Sequence, residues 1–240
     1  MEKGSIIVRK EKETVWSRME QLRGIRAVIF DQDGLMFDTE RISSSAWNLA
    51  GQEMGVVLEE EFLCTIRGMC LADSNRRLAK KFGSDFHWQE LRKRKLEHYQ
   101  RLLAENPLPV KRGLKELLAF LQEKGYKIAV ATASELDYTL ENLERAGVRA
   151  YFGQIVTGDL VEHAKPDPAI FLKAAELLGE LPQHCMVLED SINGVEAGIR
   201  GGFYTVMIPD LTQPDAELKE RVTAVCESLE DVKNILESVE

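Results

Sequence analysis

The chain has 240 residues, of which 44% are hydrophobic and 30% are charged, a composition typical of globular proteins with one large or two smaller domains. Its formal net charge of −9 argues against nucleic acid and against an anionic membrane surface as partners. The four cysteines lack the spacing of a zinc site or a disulfide framework, and no apolar run approaches 18 residues. Because no signal-peptide pattern is present, we expect a cytoplasmic protein.

Residues 1–24 differ from the rest of the chain and are predicted to form an N-terminal extension. Within them, residues 5–8 have the composition of a short strand, and residues 11–22 form a charged helical pattern. Both packing against the main body and partial disorder are consistent with such a terminal segment. Its residues indicate no function.

The first strongly apolar segment, AVIF at residues 27–30, leads directly into Asp31, Asp33 and Gly34. A short run with β-branched residues predicts a strand buried on both faces, and open α/β sheets bind ligands beyond the carboxyl ends of such strands. Two carboxylates held close together repel each other unless a cation shares the site, and a hard divalent cation is the usual one. The alternative is a strand that ends in a solvated turn, and the Asp-x-Asp spacing alone does not decide between the two.

From residue 38 to residue 109 the apolar positions have helical spacing, which predicts four helices and no strand. A basic run at residues 92–95 lies among helix-forming residues and is interpreted as a solvated helix face. An all-helical block after a buried strand indicates an inserted subdomain, and Pro107 and Pro109 mark the return to the first domain. We therefore predict a core of residues 25–37 and 110–240 with a helical cap of residues 38–109.

After residue 110, strands and helices alternate. Apolar runs predict strands at 128–132, 154–156, 186–188, 204–208 and 224–225, and amphipathic patterns predict helices at 111–124, 136–146, 168–178, 192–200 and from 229. This alternation predicts an α/β fold whose core is a doubly wound, Rossmann-like parallel sheet.

Three further predicted strand ends carry residues with useful chemistry: Thr132-Ala133-Ser134, Lys165 in a proline-stiffened loop, and Glu189-Asp190. A hydroxyl followed by backbone amides at a helix entrance suits a phosphate, and a lysine can balance a phosphate and a carboxylate. Singly, each has a simpler interpretation: the hydroxyls could cap the helix, and the lysine could lie on the surface. Four such signals in one chain favour an active site.

Together these residues carry a resemblance. Asp31-Gln32-Asp33-Gly34, Thr132, Lys165 and Glu189-Asp190 are similar to the four motifs of the haloacid dehalogenase-like superfamily, in the same order. The helical block resembles the small cap of its β-phosphoglucomutase-like subgroup, as do Asp38-Thr39-Glu40 and Lys165-Pro166-Asp167-Pro168. The resemblance covers residues 25–227 and leaves out residues 1–24.

The resemblance implies a role for each motif residue. Asp31 would be the nucleophile that forms an aspartyl-phosphate, and Asp33 the general acid and base. Thr132, with the amides of Ala133 and Ser134, would hold the phosphate oxygens, and Lys165 would neutralise charge. Mg²⁺ would be held by Asp31, the Asp33 carbonyl and Asp190, with Glu189 as an additional or water-mediated contact.

The chain departs from the mutases of this subgroup at positions that grip a second phosphate. Ser43 replaces a cap histidine, Leu71 a cap arginine three residues after the glycine that matches Gly68, and Glu135 a lysine. Asp73 keeps an acidic position of the family, and Arg67 is close enough in sequence to compensate partly.

We therefore expect a Mg²⁺-dependent phosphatase acting on a small phosphorylated metabolite, as a monomer or weak dimer, with a phosphomutase or phosphotransferase as the alternative. A dehalogenase is disfavoured because that chemistry generally lacks an acid/base aspartate such as Asp33. A non-catalytic binding module is disfavoured because every motif residue is present.

Overall fold

The computed structural model describes residues 22–66, 71–83 and 85–239. Six strands form one parallel sheet in the order β3-β2-β1-β4-β5-β6. They are β1 (Ala27–Phe30), β2 (Lys127–Thr132), β3 (Gln154–Thr157), β4 (Cys185–Glu189), β5 (Tyr204–Met207) and β6 (Ala224–Val225). The prediction of a doubly wound α/β fold is confirmed.

Ten α-helices lie within the described residues. They are α1 (Thr39–Glu53), α2 (Glu60–Ile66), α3 (Leu71–Phe82), α4 (Trp88–Glu105), α5 (Leu114–Glu123), α6 (Leu136–Arg145), α7 (Ala169–Leu178), α8 (Ile192–Arg200), α9 (Ala216–Arg221) and α10 (Leu229–Val239). None of these helices combines the length and apolar character that crossing a membrane requires.

Strand β1 lies in the middle of the sheet, between β2 and β4, and all four of its residues are buried. Val28 and Phe30 join one apolar cluster, which includes α5 and α10, whereas Ala27 and Ile29 join a second cluster, which includes α7. This follows from the alternation of side chains along a strand. Because both faces are covered by helices, the carboxyl end of β1 is the part of the strand that can reach a ligand.

Helices α1 to α4 follow β1 and have an apolar cluster of their own. Trp47 and Ala50 of α1 pack there with Leu63 of α2, Leu78 of α3 and Leu91 of α4. The predicted helical block between two sheet strands is therefore present. Its action as a separate cap domain remains a proposal.

The two connections between this helical block and the sheet run side by side. Phe37 pairs with Val110 in an antiparallel bridge, and the Asp38 amide donates to the Pro109 carbonyl at 2.9 Å. Asp210, in the loop after β5, forms ion pairs with Arg41 and with Lys111, each with a nitrogen–oxygen distance of 2.9 Å. Paired connections of this kind are well suited to act as a hinge.

Several boundaries differ from the sequence predictions. Helix α5 begins at Leu114 rather than at Lys111, because the Lys111 amide pairs with the Met36 carbonyl across the connection. Helix α9 was not predicted; the Asp215 side chain caps it by accepting from the Leu218 amide at 2.8 Å. Two predicted elements of the N-terminal extension lie outside the described residues: the strand at residues 5–8 and, except for Leu22, the helix at 11–22. Leu22 is buried in the main core.

Candidate active site

The residues singled out at the four strand ends meet at one edge of the sheet. Seven of them line a single cleft: Asp31, Asp33, Thr132, Ala133, Ser134, Glu189 and Asp190. Lys165 lies beneath them and is only 5% exposed. This convergence follows from the parallel sheet, which brings the carboxyl ends of β1, β2 and β4 to the same edge.

Lys165 forms hydrogen-bonded ion pairs with Asp31, which follows β1, and with Glu189, at the end of β4. Its Nζ donates to Asp31 Oδ1 at 2.5 Å, to Glu189 Oε1 at 2.8 Å and to the Ala131 carbonyl at 3.2 Å. Burial lowers the pKa of Lys165, but the charges of the two carboxylates outweigh burial and leave that pKa above its usual range. The interpretation of Lys165 as a surface lysine is wrong.

Asp31, Glu189 and Asp190 form a buried acidic cluster in which one carboxylate oxygen of each lies within 4.8 Å of the others. Burial raises the pKa of Asp31 to about 8, with Lys165 opposing the shift and Glu189 adding to it. Burial, reinforced by Glu189 and Asp31, also raises the pKa of Asp190 well above its usual range. When all three carboxylates are ionised, they and the Lys165 ammonium carry two excess negative charges, which one divalent cation would neutralise, and carboxylate oxygens are the ligands that Mg²⁺ prefers. The donor set fits such an ion.

Glu189 is fixed by hydrogen bonds to both of its oxygens. While Oε1 accepts from Lys165, Oε2 accepts from the amides of Asp190 and Ser191 and from the Ser191 hydroxyl, at 2.8 to 2.9 Å. Gly194 of α8 makes room for this arrangement, because a Cβ at that position would overlap Glu189 Oε1. Glu189 is thereby held with its neighbour Asp190 at the cleft.

Gly34 plays the corresponding steric role after β1. Its φ of +89° lies in the left-handed region that glycine tolerates, and a Cβ there would overlap the carboxylate of Asp190. Only glycine lets the chain turn away while the β1 and β4 carboxylates approach each other.

Asp33 accepts hydrogen bonds on both carboxylate oxygens. Thr39 and Tyr138 donate to Oδ1 at 2.6 and 2.9 Å, whereas Ser134 donates to Oδ2 at 2.6 Å. Gln32 makes a longer contact to Oδ2, at 3.4 Å. The solvated Asp-x-Asp turn is therefore wrong for this segment, since Asp31 is buried in an ion pair and Asp33 is held by three hydroxyls.

Thr132 is the last residue of β2, and Ser134 lies in the loop between β2 and α6. The Ser134 amide donates to Thr132 Oγ1 at 3.1 Å, which fixes the loop at the cleft. Neither residue caps the helix, because the residue at the cap position is Glu135 and its side chain makes no capping bond. The interpretation of these hydroxyls as helix caps is therefore wrong.

The cleft has a volume of about 1090 Å³ and is walled on one side by the acidic cluster and on the other by α1 to α4. On the helical side, Arg92 donates to Ser74 at 2.9 Å and to Asn75 at 3.0 Å, and the Lys95 ammonium lies 4.5 Å from the centroid of the Tyr99 ring. Burial lowers the pKa of Lys95 to about 8. Interpreting the basic run as a solvated helix face is therefore wrong for Arg92 and Lys95.

The cleft lining includes polar residues that were assigned no role from sequence, among them Thr39, Arg92, Tyr99 and Tyr138. The sequence spacing could have indicated that two of them act together, because Arg92 and Tyr99 are seven residues apart and share one face of α4. Of the positions compared with the mutases, Ser43 and Glu135 line the cleft. Arg67 and Gly68, and the side chains of Leu71 and Asp73, lie outside the described residues.

Comparisons with known proteins agree with this geometry. A family model described as haloacid dehalogenase-like hydrolase matches residues 28–208. A phosphorylated carbohydrates phosphatase from Thermotoga maritima is 33% identical over 218 residues, covering 89% of this chain and 91% of that protein.

Two solved structures show the same fold. A putative β-phosphoglucomutase from Thermotoga maritima is 30% identical with a TM-score of 0.72, covering 90% of this chain and 100% of that one. CbbY from Rhodobacter sphaeroides, in complex with phosphate, is 26% identical with a TM-score of 0.72, covering 87% of this chain and 96% of that one. These similarities span the sheet and the helices between β1 and β2.

Proposed function

The chain belongs to the haloacid dehalogenase-like hydrolases, and we propose that this phosphoric monoester hydrolase cleaves a small organic phosphate through an aspartyl-phosphate on Asp31, with Mg²⁺. The observation that carries the proposal is the buried constellation at the four strand ends. There Asp31 faces the cleft beside Lys165 and Asp190, and Asp33 lies two residues further on.

In the first half of the reaction, a carboxylate oxygen of Asp31 forms a bond to phosphorus and the bond from phosphorus to the ester oxygen breaks. Asp33 gives a proton to that departing oxygen, so that the organic part leaves as a neutral alcohol. Thr132 and the Ala133 amide receive the phosphate oxygens, while the Ser134 amide holds Thr132 Oγ1 in place, and Lys165 keeps charge balanced at Asp31.

In the second half, Asp33 takes a proton from a water molecule, and the water oxygen forms a new bond to phosphorus. The bond from phosphorus to Asp31 breaks, which releases inorganic phosphate and restores the carboxylate. One residue thus serves as acid and then as base, and its three hydroxyl donors keep it at the cleft in both steps.

Asp31 and Asp190, with the backbone carbonyl of Asp33, would hold the magnesium ion. When bound, Mg²⁺ supplies the positive charge that lets a carboxylate approach a phosphate dianion. Glu189 adds negative charge, and its oxygens already accept four hydrogen bonds, so it fits a water-mediated contact better than direct ligation.

Water is the expected acceptor rather than a second sugar phosphate. A mutase must hold a remote phosphate, and Glu135 would repel one from the cleft wall next to the phosphate loop. Ser43, also in the cleft, carries no positive charge. These two positions support a phosphatase, although the chain resembles a putative β-phosphoglucomutase in sequence and fold. Arg92 and Lys95 bring positive charge to the cleft from α4, so the products of the reaction decide between hydrolase and mutase.

The test is ³¹P NMR of the purified enzyme with sugar, nucleoside and carboxylate-bearing phosphates, in Mg²⁺ and in EDTA. We expect inorganic phosphate to accumulate in Mg²⁺ without any bisphosphate activator, and no turnover in EDTA. Isomerised sugar phosphate with little free phosphate would contradict hydrolysis. Full turnover in EDTA would contradict the metal requirement.

The helical wall indicates which substrates should be preferred. Among described residues, the Arg92 guanidinium hydrogen-bonds to neutral side chains rather than to a carboxylate, and it faces the cleft with Lys95. We propose that the organic part of the substrate carries an anionic group, such as a carboxylate, that reaches Arg92.

Arg92→Gln should therefore raise KM for a carboxylate-bearing phosphate by about 10-fold or more, since a charge-assisted hydrogen bond contributes about 1.5–3 kcal/mol. KM for p-nitrophenyl phosphate should change by less than about 2-fold. Arg94→Gln is the control, because Arg94 is on the same helix but pairs with Glu53 and Glu90 outside the cleft. Equal changes for both substrates would contradict the assignment.

A further inference from the structure

The hydroxyl groups around Asp33 come from three different elements. Thr39 begins α1, Ser134 lies in the loop after β2, and Tyr138 lies on the first turn of α6. Tyr138 belongs to none of the four strand-end motifs, yet its hydroxyl donates to Asp33 Oδ1 at 2.9 Å. It is the one aromatic donor to the group proposed as acid and base within the residues described.

The Tyr138 hydroxyl also contacts the hydroxyl of Tyr99 on α4, and the two rings lie 6.0 Å apart. Because Tyr138 gives its only hydrogen to Asp33, Tyr99 must donate to the Tyr138 oxygen. A chain of hydrogen bonds therefore runs from the helical block to Asp33. Burial, reinforced by the charge of Asp33, raises the pKa of both phenols above their usual range, so both stay protonated at neutral pH.

We propose that Tyr138 is a positioning residue for Asp33, and that Tyr99 makes this positioning depend on the contact of α4 with α6. This inference rests on the proposed phosphatase function. Tyr99 packs with Ala46 of α1 and Leu103 of α4, so it belongs to the helical block, whereas Tyr138 belongs to the sheet side. Asp33 is therefore aligned by donors from both walls of the cleft.

Misalignment of Asp33 should affect one proton transfer in particular, the one from Asp33 to the leaving group. When the bond from phosphorus to the ester oxygen breaks, Asp33 must deliver its proton to that oxygen if the leaving group is a basic alcohol. A p-nitrophenolate leaves without such help, because it is stable as an anion. A misaligned Asp33 therefore slows alkyl phosphates far more than p-nitrophenyl phosphate.

The experiment measures kcat/KM, which reports formation of the aspartyl-phosphate, for p-nitrophenyl, phenyl and alkyl phosphates. For Tyr138→Phe we expect a loss below about 3-fold with p-nitrophenyl phosphate and of about 30-fold or more with the alkyl ester, approaching the 10²–10⁴-fold loss that complete removal of general acid catalysis would cause. The same factor for every leaving group would show a merely structural role and overturn the inference.

Tyr99→Phe should shift the same leaving-group dependence in the same direction by a smaller factor, and it provides the test if Tyr138→Phe does not fold. The double variant should lose less than the product of the two single losses, because Tyr99 acts through Tyr138. Strict multiplication would overturn the coupling. Tyr151→Phe, outside the cleft, is the control.

Wild-type hydrolysis of p-nitrophenyl phosphate in Mg²⁺ tests the proposed function separately. If the wild type is active but Tyr138→Phe does not change the leaving-group dependence, the positioning role is wrong and the proposed phosphatase function is retained. If the wild type hydrolyses none of these esters, the proposed function itself is wrong.

Discussion

Asp31→Asn should reduce kcat by roughly 10⁴-fold or more, because the substitution removes the nucleophile and an amide does not form the aspartyl-phosphate. The fold should remain intact. Asp31 is buried, and burial raises its pKa from 3.8 to about 8, so the neutral amide resembles the protonated form that this environment favours. In EDTA we therefore expect no loss of stability at neutral pH.

The pKa shift also fixes the sign of a pH effect. A carboxyl whose pKa is raised on folding contributes stability at low pH and loses that contribution as pH rises from 3.8 to about 8. In EDTA, the melting temperature of Asp31→Asn relative to wild type should therefore increase across that range. A difference that stays constant, or that shrinks as pH rises, would contradict the assignment.

Asp159→Asn is the matched control for activity. This exposed residue accepts a hydrogen bond from Thr157 through Oδ1, an oxygen that an amide retains. It should keep wild-type turnover. Intact mass spectrometry checks that the substituted side chain at position 31 has not deamidated. Substantial turnover by an undeamidated sample would show that catalysis proceeds without a covalent intermediate on Asp31.

The sequence could predict the strand-end residues because two local signals coincide at each of them. At Asp31 an apolar, β-branched run ends in a carboxylate, and the same pattern recurs at Glu189. Parallel strands place their carboxyl ends on one edge, so Asp31 and Glu189, more than 150 positions apart, were expected to meet, and they do.

The donors to Asp33 and the cationic wall could not be predicted in the same way. Whether Tyr138 faces Asp33 depends on the rotation of α6, which its N-terminal residues do not determine. The basic run on α4 divides between two environments: Arg92, Lys93 and Lys95 line the cleft, whereas Arg94 pairs with Glu53 and Glu90. The charge of these residues alone indicates a solvated helix face. Which of them face the cleft is determined by the packing of α1 against α4.

Lys165→Met should destabilise the protein by about 3–5 kcal/mol in EDTA, because Glu189 is then buried without its cation and Asp31, whose pKa burial already raises, loses the charge that opposes that rise. Turnover in Mg²⁺ should also fall by about 10²-fold or more, since positive charge beside the attacking carboxylate is lost. Chemical denaturation gives the free energy of unfolding. Lys173→Met is the control: Lys173 is 38% exposed and pairs with Glu176 on the same helix, so its loss should cost less than about 1 kcal/mol.

Adding Asp31→Asn to Lys165→Met distinguishes charge imbalance from loss of packing. If the instability arises from uncompensated carboxylates, removing one of the two should recover part of the lost free energy of unfolding, and the double variant should be more stable than Lys165→Met alone. A lost packing contact with the Phe171 ring, which lies 4.7 Å from the ammonium, would not be restored by a change at Asp31. A double variant no more stable than Lys165→Met would contradict a charge-balancing role for the lysine.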